Sequence, residues 1–315
     1  MKQQPDVWIR EVGTRDGLQS IATIFPTAAK AEWIAREARA GIPEIEVGSF
    51  VPPKLLPQMA DTAEVVRGAV ELPGLTVAVL VPNQRGCEAA IAAGAHKISL
   101  PLSVSETHSL KNLRRDHGAM LDEIRACQAL VDAEPAERRP HFEVGLSTAF
   151  GCSIEGPVVP EQVFGLAARV LDLGVAEIGL SDTTGMGNPA QLETLVTGIW
   201  RRMGDGVLTG VHLHNTRGQG LANVLKAVEL GITTIDSSLG GLGGCPFAPG
   251  ASGNIVTEDL VFLLESMGYS TGIDLEVLLQ VRHAVADLLP GESWYGFAAE
   301  AGLPRGWRPA AASVA

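Results

Sequence analysis

The chain has 315 residues, of which 46% are hydrophobic, so its length allows one large domain or two smaller ones. Its 36 acidic and 24 basic side chains give a formal net charge of -12, which argues against a nucleic-acid binder because that function needs a basic surface. No apolar run is long enough for a signal peptide or a membrane span, and the four cysteines lack CxxC spacing, so we expect a reduced, cytoplasmic protein without a membrane partner.

One pattern repeats along the chain: a short apolar run rich in β-branched residues precedes an amphipathic segment rich in alanine and leucine. The predicted strands are Val7–Gly13, Glu44–Phe50, Leu75–Val81, Lys97–Ser103, His141–Thr148, Glu177–Thr183, Leu208–Asn215 and Thr233–Leu239. The predicted helices between them are Thr27–Ala40, Gln58–Val70, Gly118–Asp132, Pro160–Leu173, Pro189–Met203 and Gly218–Leu230. Eight strands alternating with helices predict an α/β fold, a parallel sheet that closes into a (β/α)8 TIM barrel.

Glycine and asparagine mark several helix ends. Gly41, Gly174 and Gly231 each follow a predicted helix, where a C-cap glycine belongs. Asn188 is followed by proline, which predicts an N-cap and the first helical position.

The region after the eighth strand departs from the repeat. We expect a single domain over residues 1–315, with the barrel at 7–240 and a glycine-rich loop at 240–254. Additional helices follow at 255–290, predicted as Glu258–Gly268 and Asp274–Leu289, with Asp274 as an N-cap. The tail, 291–315, is rich in Ala, Gly and Pro and is predicted to be irregular.

Polar residues gather where the predicted strands end, which is where a barrel places its active site. His212 and His214 are two apart on the seventh strand, so both imidazoles face the same side. A carboxylate from the first strand, Asp16, would complete a divalent-metal site. The alternatives are a histidine pair that only hydrogen-bonds and an aspartate that only shapes an Asp-Gly turn.

Asn254 is a candidate amide-oxygen ligand, or else the cap of the helix that follows it. Mixed nitrogen and oxygen ligands suit Mg²⁺ or Mn²⁺ better than structural zinc.

Two further residues suit chemistry at this site. Arg15 precedes Asp16, and its guanidinium would stabilise an enolate oxygen, unless it forms only a structural ion pair. Cys245 lies in a loop, Gly240 to Asn254, in which six of fifteen residues are glycine, so it can reach a substrate when the loop moves. Cys87, Cys127 and Cys152 are predicted to be buried apolar residues.

These motifs resemble the 3-hydroxy-3-methylglutaryl-CoA lyase family, of the DRE-TIM metallolyase type, from about Val7 to Leu289. The matching segments are EVGTRDGLQ (11–19), IEVGSFVPPK (45–54), LPQM (56–59), HLH (212–214), GQGLAN (218–223) and DSSLGGLGGCPFAPGASGN (236–254). The last segment is long enough to exclude a chance match.

The resemblance implies a role for each matching residue. Asp16, His212, His214 and Asn254 match metal ligands, Arg15 matches the arginine that polarises the acyl-CoA carbonyl, and Cys245 matches an acid/base on the mobile loop. Glu46 and Asp182 match catalytic carboxylates, and His212 or Asp182 is the expected first base. We also predict substrate contacts for Arg15, Gln19, Ser49 and Arg217. The implied reaction is metal-dependent cleavage of an acyl-CoA thioester to acetyl-CoA and a keto acid, which is acetoacetate for the namesake substrate.

Several positions near the expected pocket depart from the family pattern. Asn215-Thr-Arg217 replaces Asp-Thr-Tyr, Ser181 replaces a glycine, Thr14 replaces a proline, and His108 replaces an aromatic ring. Arg217 adds a cation that would favour a further carboxylate on the substrate, or it is a surface residue at a helix start.

These departures leave other functions open. Three alternatives remain. The chain could be a lyase for another hydroxyacyl-CoA such as citramalyl-CoA, a related synthase, or a non-catalytic barrel that acts as a scaffold. The synthase hypothesis is disfavoured because related synthases usually carry an additional C-terminal regulatory domain, whereas only a short tail follows the barrel here. The resemblance also suggests a homodimer.

Overall fold

The computed structural model describes residues 5–243 and 253–310. Its eight parallel strands form a closed barrel in chain order, β1 to β8, with β8 pairing to β1. The strands are β1 (Trp8–Glu11), β2 (Glu44–Ser49), β3 (Thr76–Leu80), β4 (Lys97–Ser103), β5 (His141–Ser147), β6 (Glu177–Ser181), β7 (Leu208–His212) and β8 (Thr234–Ser237). The predicted TIM barrel is therefore confirmed.

Eleven α-helices lie in the described ranges. They are α1 (Thr27–Ala40), α2 (Thr62–Ala69), α3 (Gln84–Ala93), α4 (Glu106–Asn112), α5 (His117–Ala133), α6 (Pro160–Leu171), α7 (Pro189–Met203), α8 (Gly220–Leu230), α9 (Thr257–Ser266), α10 (Leu275–Leu288) and α11 (Phe297–Ala301). The sequence prediction missed α3, α4 and α11, which have 10, 7 and 5 residues. Helices this short carry too few turns for a clear periodicity.

The predicted helix over 58–70 is wrong at its start. Pro57–Met59 forms a 3-10 turn, and α2 begins only at Thr62. The reason is tertiary, because the Thr62 hydroxyl donates to the Met59 carbonyl and also contacts the backbone of Ser49 at the end of β2.

The predicted caps are largely confirmed. Gly41 and Gly231 end α1 and α8 in the left-handed conformation. Asn188 and Asp274 accept hydrogen bonds from the backbone N–H groups of Gln191 and Val277. Gly174 also has a positive φ of 90°, but it lies beyond the C-cap of α6, which is Asp172.

The two faces of each strand have different surroundings. Side chains such as Ile9, Ile45, Val144 and Ile235 face the helices and are fully buried, which supplies the main apolar core. The barrel interior instead holds an ionic network near the amino ends of the strands.

In that network Arg10 donates to Glu44 at 2.5 Å and to Glu143 at 2.6 Å, and Lys97 lies 2.7 Å from Glu143. Each buried charge has a partner, which is what makes its burial tolerable. Although burial opposes it, the charges of Arg10 and Lys97 and their hydrogen bonds hold the pKa of Glu143 far below its usual range.

The C-terminal segment closes over the barrel's β1–β8 side. Helix α9 follows β8 as the eighth barrel helix, and α10 packs against α1 and α9. The tail predicted to be irregular contains α11, and it is bonded to the barrel: Tyr295 N donates to Gly240 O at 2.8 Å and Ala310 N to Glu265 at 2.6 Å. No helix in the described ranges combines the length and apolarity needed to cross a membrane.

Candidate active site

The turn after β1 places Arg15 and Asp16 at the mouth of the barrel. The carbonyl of Val12 accepts hydrogen bonds from the backbone N–H groups of Arg15, Asp16 and Gly17, so the chain forms one π-helical turn over Gly13–Gly17. A side chain at Gly13 would lie 2.6 Å from Glu11 Oε1, so only glycine fits there. The strand predicted to run to Gly13 therefore ends at Glu11.

Asp16 is held by three donors. Its Oδ1 accepts from Arg15 at 2.5 Å and from Gln19 at 2.7 Å, and its Oδ2 accepts from the Asn254 amide at 2.7 Å. Burial opposes ionisation, but the charges of Arg15, His212 and His214 outweigh it and keep the pKa of Asp16 well below its usual range. Asp16 is thus a carboxylate at neutral pH, as metal ligation requires.

The two predicted histidines converge on Asp16 from β7. Their Nε2 atoms lie 3.1 Å apart, and His212 Nδ1 donates to Asp236 on β8 at 3.2 Å. Although burial opposes it, Asp236 raises the pKa of His212, whereas burial and the His212 charge lower the pKa of His214 to about 4. A carboxylate on Nδ1 fixes the tautomer that leaves Nε2 free to bind a cation.

The donor set fits a divalent cation. Ligand atoms of Asp16, His212 and His214 all lie within 4.8 Å of one another. Asn254 is only 1% exposed, and its Oδ1 has no hydrogen-bond partner in the part of the chain that the structure describes; the same holds for His214 Nδ1. An unpartnered buried oxygen beside a carboxylate and two imidazoles is what a bound ion would satisfy.

Arg15 also contacts Glu46 on β2. Its Nε donates to Glu46 Oε2 and one terminal nitrogen donates to Asp16, so the other terminal nitrogen can donate to a substrate oxygen. Burial raises the pKa of Glu46 although Arg15 opposes the shift. Glu46 therefore orients the guanidinium at the barrel mouth.

The loop after β6 is built around Asp182. Its two oxygens accept from the N–H groups of Met186 at 2.9 Å and Gly187 at 3.0 Å, and burial raises the pKa of this carboxyl. Arg217 donates to the carbonyls of Thr184 and Gly185 at 2.9 Å, which ties the loop after β7 to the loop after β6. Arg217 is thus paired with backbone, and its predicted contact with the substrate stays a prediction.

The remaining predicted residues have different surroundings. Gln19 donates to Asp16, so it orients the candidate carboxylate ligand. Ser49 is fully buried, and its hydroxyl accepts from Val51 N at 3.3 Å. Their substrate contacts also stay predictions, and Cys245 lies outside the described residues.

The sequence analysis did not predict the residues that support the candidate ligands. Asp236, which holds His212, lies inside a strand, and a charged residue in a predicted buried strand was the available signal. Glu11 accepts from Leu239 N at 2.9 Å and from the Thr257 hydroxyl at 2.5 Å, and Glu258 accepts from Gly240 N at 2.9 Å. These carboxyls fix the backbone on both sides of the glycine-rich loop.

A second group of potential ligands lies at the opposite end of the barrel. Atoms of His141, Glu143 and Glu177 also come within 4.8 Å of one another. Glu143 is already bonded to Arg10 and Lys97, and His141 contacts Glu177 at 2.5 Å. This group belongs to the ionic network of the barrel interior.

The chain is similar to known proteins over most of its length. The family model described as HMGL-like matches residues 6–285. The chain is 42% identical over 273 residues to hydroxymethylglutaryl-CoA lyase of Bacillus subtilis, covering 87% of this chain and 90% of that protein. It is 40% identical over 283 residues to the mitochondrial hydroxymethylglutaryl-CoA lyase of mouse, covering 90% and 86%.

The chain is also similar to a solved structure of an HMG-CoA lyase. The HMG-CoA lyase of Acinetobacter baumannii, in complex with coenzyme A and 3-methylmalate, superposes with a TM-score of 0.89 at 39% identity, covering 98% of this chain and 99% of that chain.

Proposed function

This chain belongs to the HMGL-like family, and from that premise we propose that it cleaves 3-hydroxy-3-methylglutaryl-CoA to acetyl-CoA and acetoacetate. It is a carbon–carbon lyase on a TIM barrel. The observation that carries the proposal is the convergence of Asp16, His212 and His214, from distant parts of the chain, beside the Oδ1 of Asn254, which has no partner among the described residues.

Asp16, His212, His214 and Asn254 would hold the divalent cation, which we propose to be Mg²⁺ or Mn²⁺. When bound, such an ion acts as a Lewis acid on the oxygens of the substrate. Asp236 and Gln19 keep His212 and Asp16 in the orientation that ligation needs. We expect the substrate to be an acyl-CoA thioester, consistent with the coenzyme A in the related complex.

The chain's own groups carry the proton transfers. Asp182 is the better candidate for the first base, because the Nε2 of the other candidate, His212, faces the metal cluster. Removal of the hydroxyl proton turns the carbinol carbon into a ketone as its bond to the thioester α-carbon breaks. The electron pair passes to the thioester enolate, whose oxygen Arg15 is placed to stabilise. Cys245, on the glycine-rich loop, is our candidate for the acid that protonates the α-carbon.

The compartment and the oligomeric state are also part of the proposal. The buried free thiols of Cys87, Cys127 and Cys152 support a reduced, cytoplasmic setting. Phe297 and Leu288, which are exposed apolar side chains near the C-terminal helices, support a homodimer that covers them.

The test is a thioester panel. Metal-free protein is incubated with 3-hydroxy-3-methylglutaryl-CoA and with citramalyl-CoA, with and without Mg²⁺ or Mn²⁺, and products are followed by mass spectrometry. We expect metal-dependent acetyl-CoA and acetoacetate from the first substrate, and a strong loss of activity in Cys245→Ala. Cleavage of citramalyl-CoA alone would change the substrate but keep the mechanism. No cleavage and no bound metal would instead favour a scaffold.

A further inference from the structure

Three neighbouring strands carry glycine at interior positions of the barrel. Gly145 on β5 pairs with Gly179 on β6, and Gly179 pairs with Gly210 on β7. Each lies two residues from a side chain that points into the barrel: Gly145 from Glu143, Gly179 from Glu177 and Gly210 from His212. Barrels of this class usually fill such positions with bulky branched side chains. We call the space beside these glycines the glycine cleft.

Each of the three glycines has room for a Cβ atom without a clash. A Cβ atom added at Gly145 would find its nearest neighbour, Ser181 Oγ, at 3.8 Å, and one at Gly179 or Gly210 would find nothing nearer than 3.8 or 3.5 Å. All three glycines are partly exposed, whereas Val144 and Leu180 beside them are fully buried. None has a positive φ, so the backbone does not require glycine there. The glycines therefore leave space that side chains would otherwise fill.

The cleft is continuous with the metal cluster. Gly210 precedes His212 by two residues on the same strand, a rise of about 7 Å, and Ser181 pairs with His212 in the sheet. Ser147, Ser181 and His212, one interior position above the three glycines, are all partly exposed. Independently of the glycines, His214 Nδ1 and Asn254 Oδ1 are buried and unpartnered within the described ranges, which marks this end of the barrel as a ligand site.

The charged side chains below the cleft, toward the amino ends of the strands, determine which substituent of a substrate it can bind. Arg10 crosses the interior to Glu143, and Lys97 joins the same carboxylate. The same two cations also pair with three further carboxylates, Glu44, Glu177 and Asp236, so four carboxylates surround two cations. A second carboxylate entering from above would be repelled, whereas an uncharged group would not.

We propose that the glycine cleft is a specificity subsite that receives the uncharged substituent on the carbinol carbon of the substrate and admits groups larger than methyl. The substrate class is then 3-hydroxy-3-alkylglutaryl thioesters of coenzyme A. This inference rests on the lyase function proposed above, and it adds residues that neither bind the metal nor move a proton.

The experiment compares kcat/KM for 3-hydroxy-3-methylglutaryl-CoA and its 3-ethyl, 3-propyl and 3-butyl homologues, using the full chain with Mg²⁺ or Mn²⁺. We expect kcat/KM to rise about three- to fourfold per added methylene until the cleft is filled, as burial of one methylene predicts. If the methyl substrate is cleaved and the propyl homologue is not, the subsite is wrong and the lyase function stands. If no member of the series is cleaved, both proposals are wrong.

Variants separate the cleft from general effects on the site. Gly145→Val should lower the ratio of kcat/KM for the propyl homologue to kcat/KM for the methyl substrate at least about 15-fold, with Gly145→Ala intermediate, because the larger group needs more of the space. The matched control is Gly165→Ala on α6, where an added Cβ meets nothing within 4 Å; kcat/KM for neither substrate should change. An equal loss on both substrates, or a Gly145→Ala protein that does not fold by circular dichroism, would overturn the proposal.

Discussion

At the scale of single residues, the site depends on side chains that serve two partners at once. Arg15 bonds to Glu46 and to Asp16, and Asp16 bonds to Arg15, Gln19 and Asn254. A planar guanidinium can make such paired contacts in fixed directions, whereas an ammonium group cannot. The position of the candidate carboxylate ligand and that of the expected enolate-stabilising group are therefore linked through one side chain.

Arg15→Lys tests this linkage. We expect kcat to fall about 100- to 1000-fold, because the oxygen of the enolate loses a directed donor, while Mn²⁺ affinity falls less. Steady-state kinetics and Mn²⁺ titration by electron paramagnetic resonance measure the two effects. Arg36→Lys, which alters an exposed ion pair on α1, is the control. Unchanged kcat in Arg15→Lys would rule out the assigned role.

At the scale of elements, buried carboxyls join the ends of β1 and β8 to the start of α9. Glu11 accepts from the backbone of Gly13 and Leu239 and from the Thr257 hydroxyl, and Glu258 accepts from Gly240. Burial raises the pKa of Glu11 to about 8 and that of Glu258 to about 7, and Glu37 beside them is shifted upwards as well. These carboxyls bind protons more tightly in the folded chain than in the unfolded chain.

The consequence is a pH-dependent stability. Because the native Glu11 keeps its proton up to about pH 8 and the unfolded one loses it near 4.5, the free energy of unfolding falls as pH rises through this window. We expect Glu11→Gln, which keeps an acceptor for both N–H groups, to remove on the order of 3 kcal/mol of that decline. Urea unfolding at pH 5 to 9 measures it, with the exposed Glu32→Gln on α1 as control. The same decline in Glu11→Gln as in the parent would show that Glu11 does not cause it.

At the scale of the whole molecule, the candidate metal site joins distant parts of the chain. Asp16 follows β1, His212 and His214 lie at the end of β7, and Asn254 is the last residue of the glycine-rich loop. Barrel closure between β1 and β8 brings these segments together. A cation at this site would bind the folded barrel and not the unfolded chain, so its binding should stabilise the fold.

Thermal unfolding measures this coupling. Mn²⁺ at about 100 times its Kd should add about 2.7 kcal/mol, or roughly 5 °C in Tm, and a chelator should reverse the gain. Asp16→Asn should abolish the shift, while His141→Ala, in the ligand-like group at the other end of the barrel, should retain it. If the Tm shift were lost in His141→Ala and kept in Asp16→Asn, the cation would bind at the opposite end of the barrel and the proposed metal site would be wrong.

The fold and much of the candidate site could be predicted from the sequence, because the patterns that indicate them are local or periodic. Eight repeats of apolar run and amphipathic segment predicted the barrel, and the positions of Arg15, Asp16, His212 and His214 at strand ends predicted a common site. The HMGL-like family was predicted from several motifs, of which the segment around Cys245 is the longest, and such motifs are a property of residue order alone.

Tertiary structure decided what depends on register and on distant partners. The pairing of His212 with Asp236 follows from the alignment of β7 with β8, and the bonds of Arg217 to Thr184 and Gly185 follow from the packing of two loops. The pairing of Gly145, Gly179 and Gly210 is likewise set by register, because sequence order does not say which residues of neighbouring strands lie side by side. Sequence thus determined the fold and the reaction class, and the packing of strands determined which residues orient the ligands and where the barrel is left open.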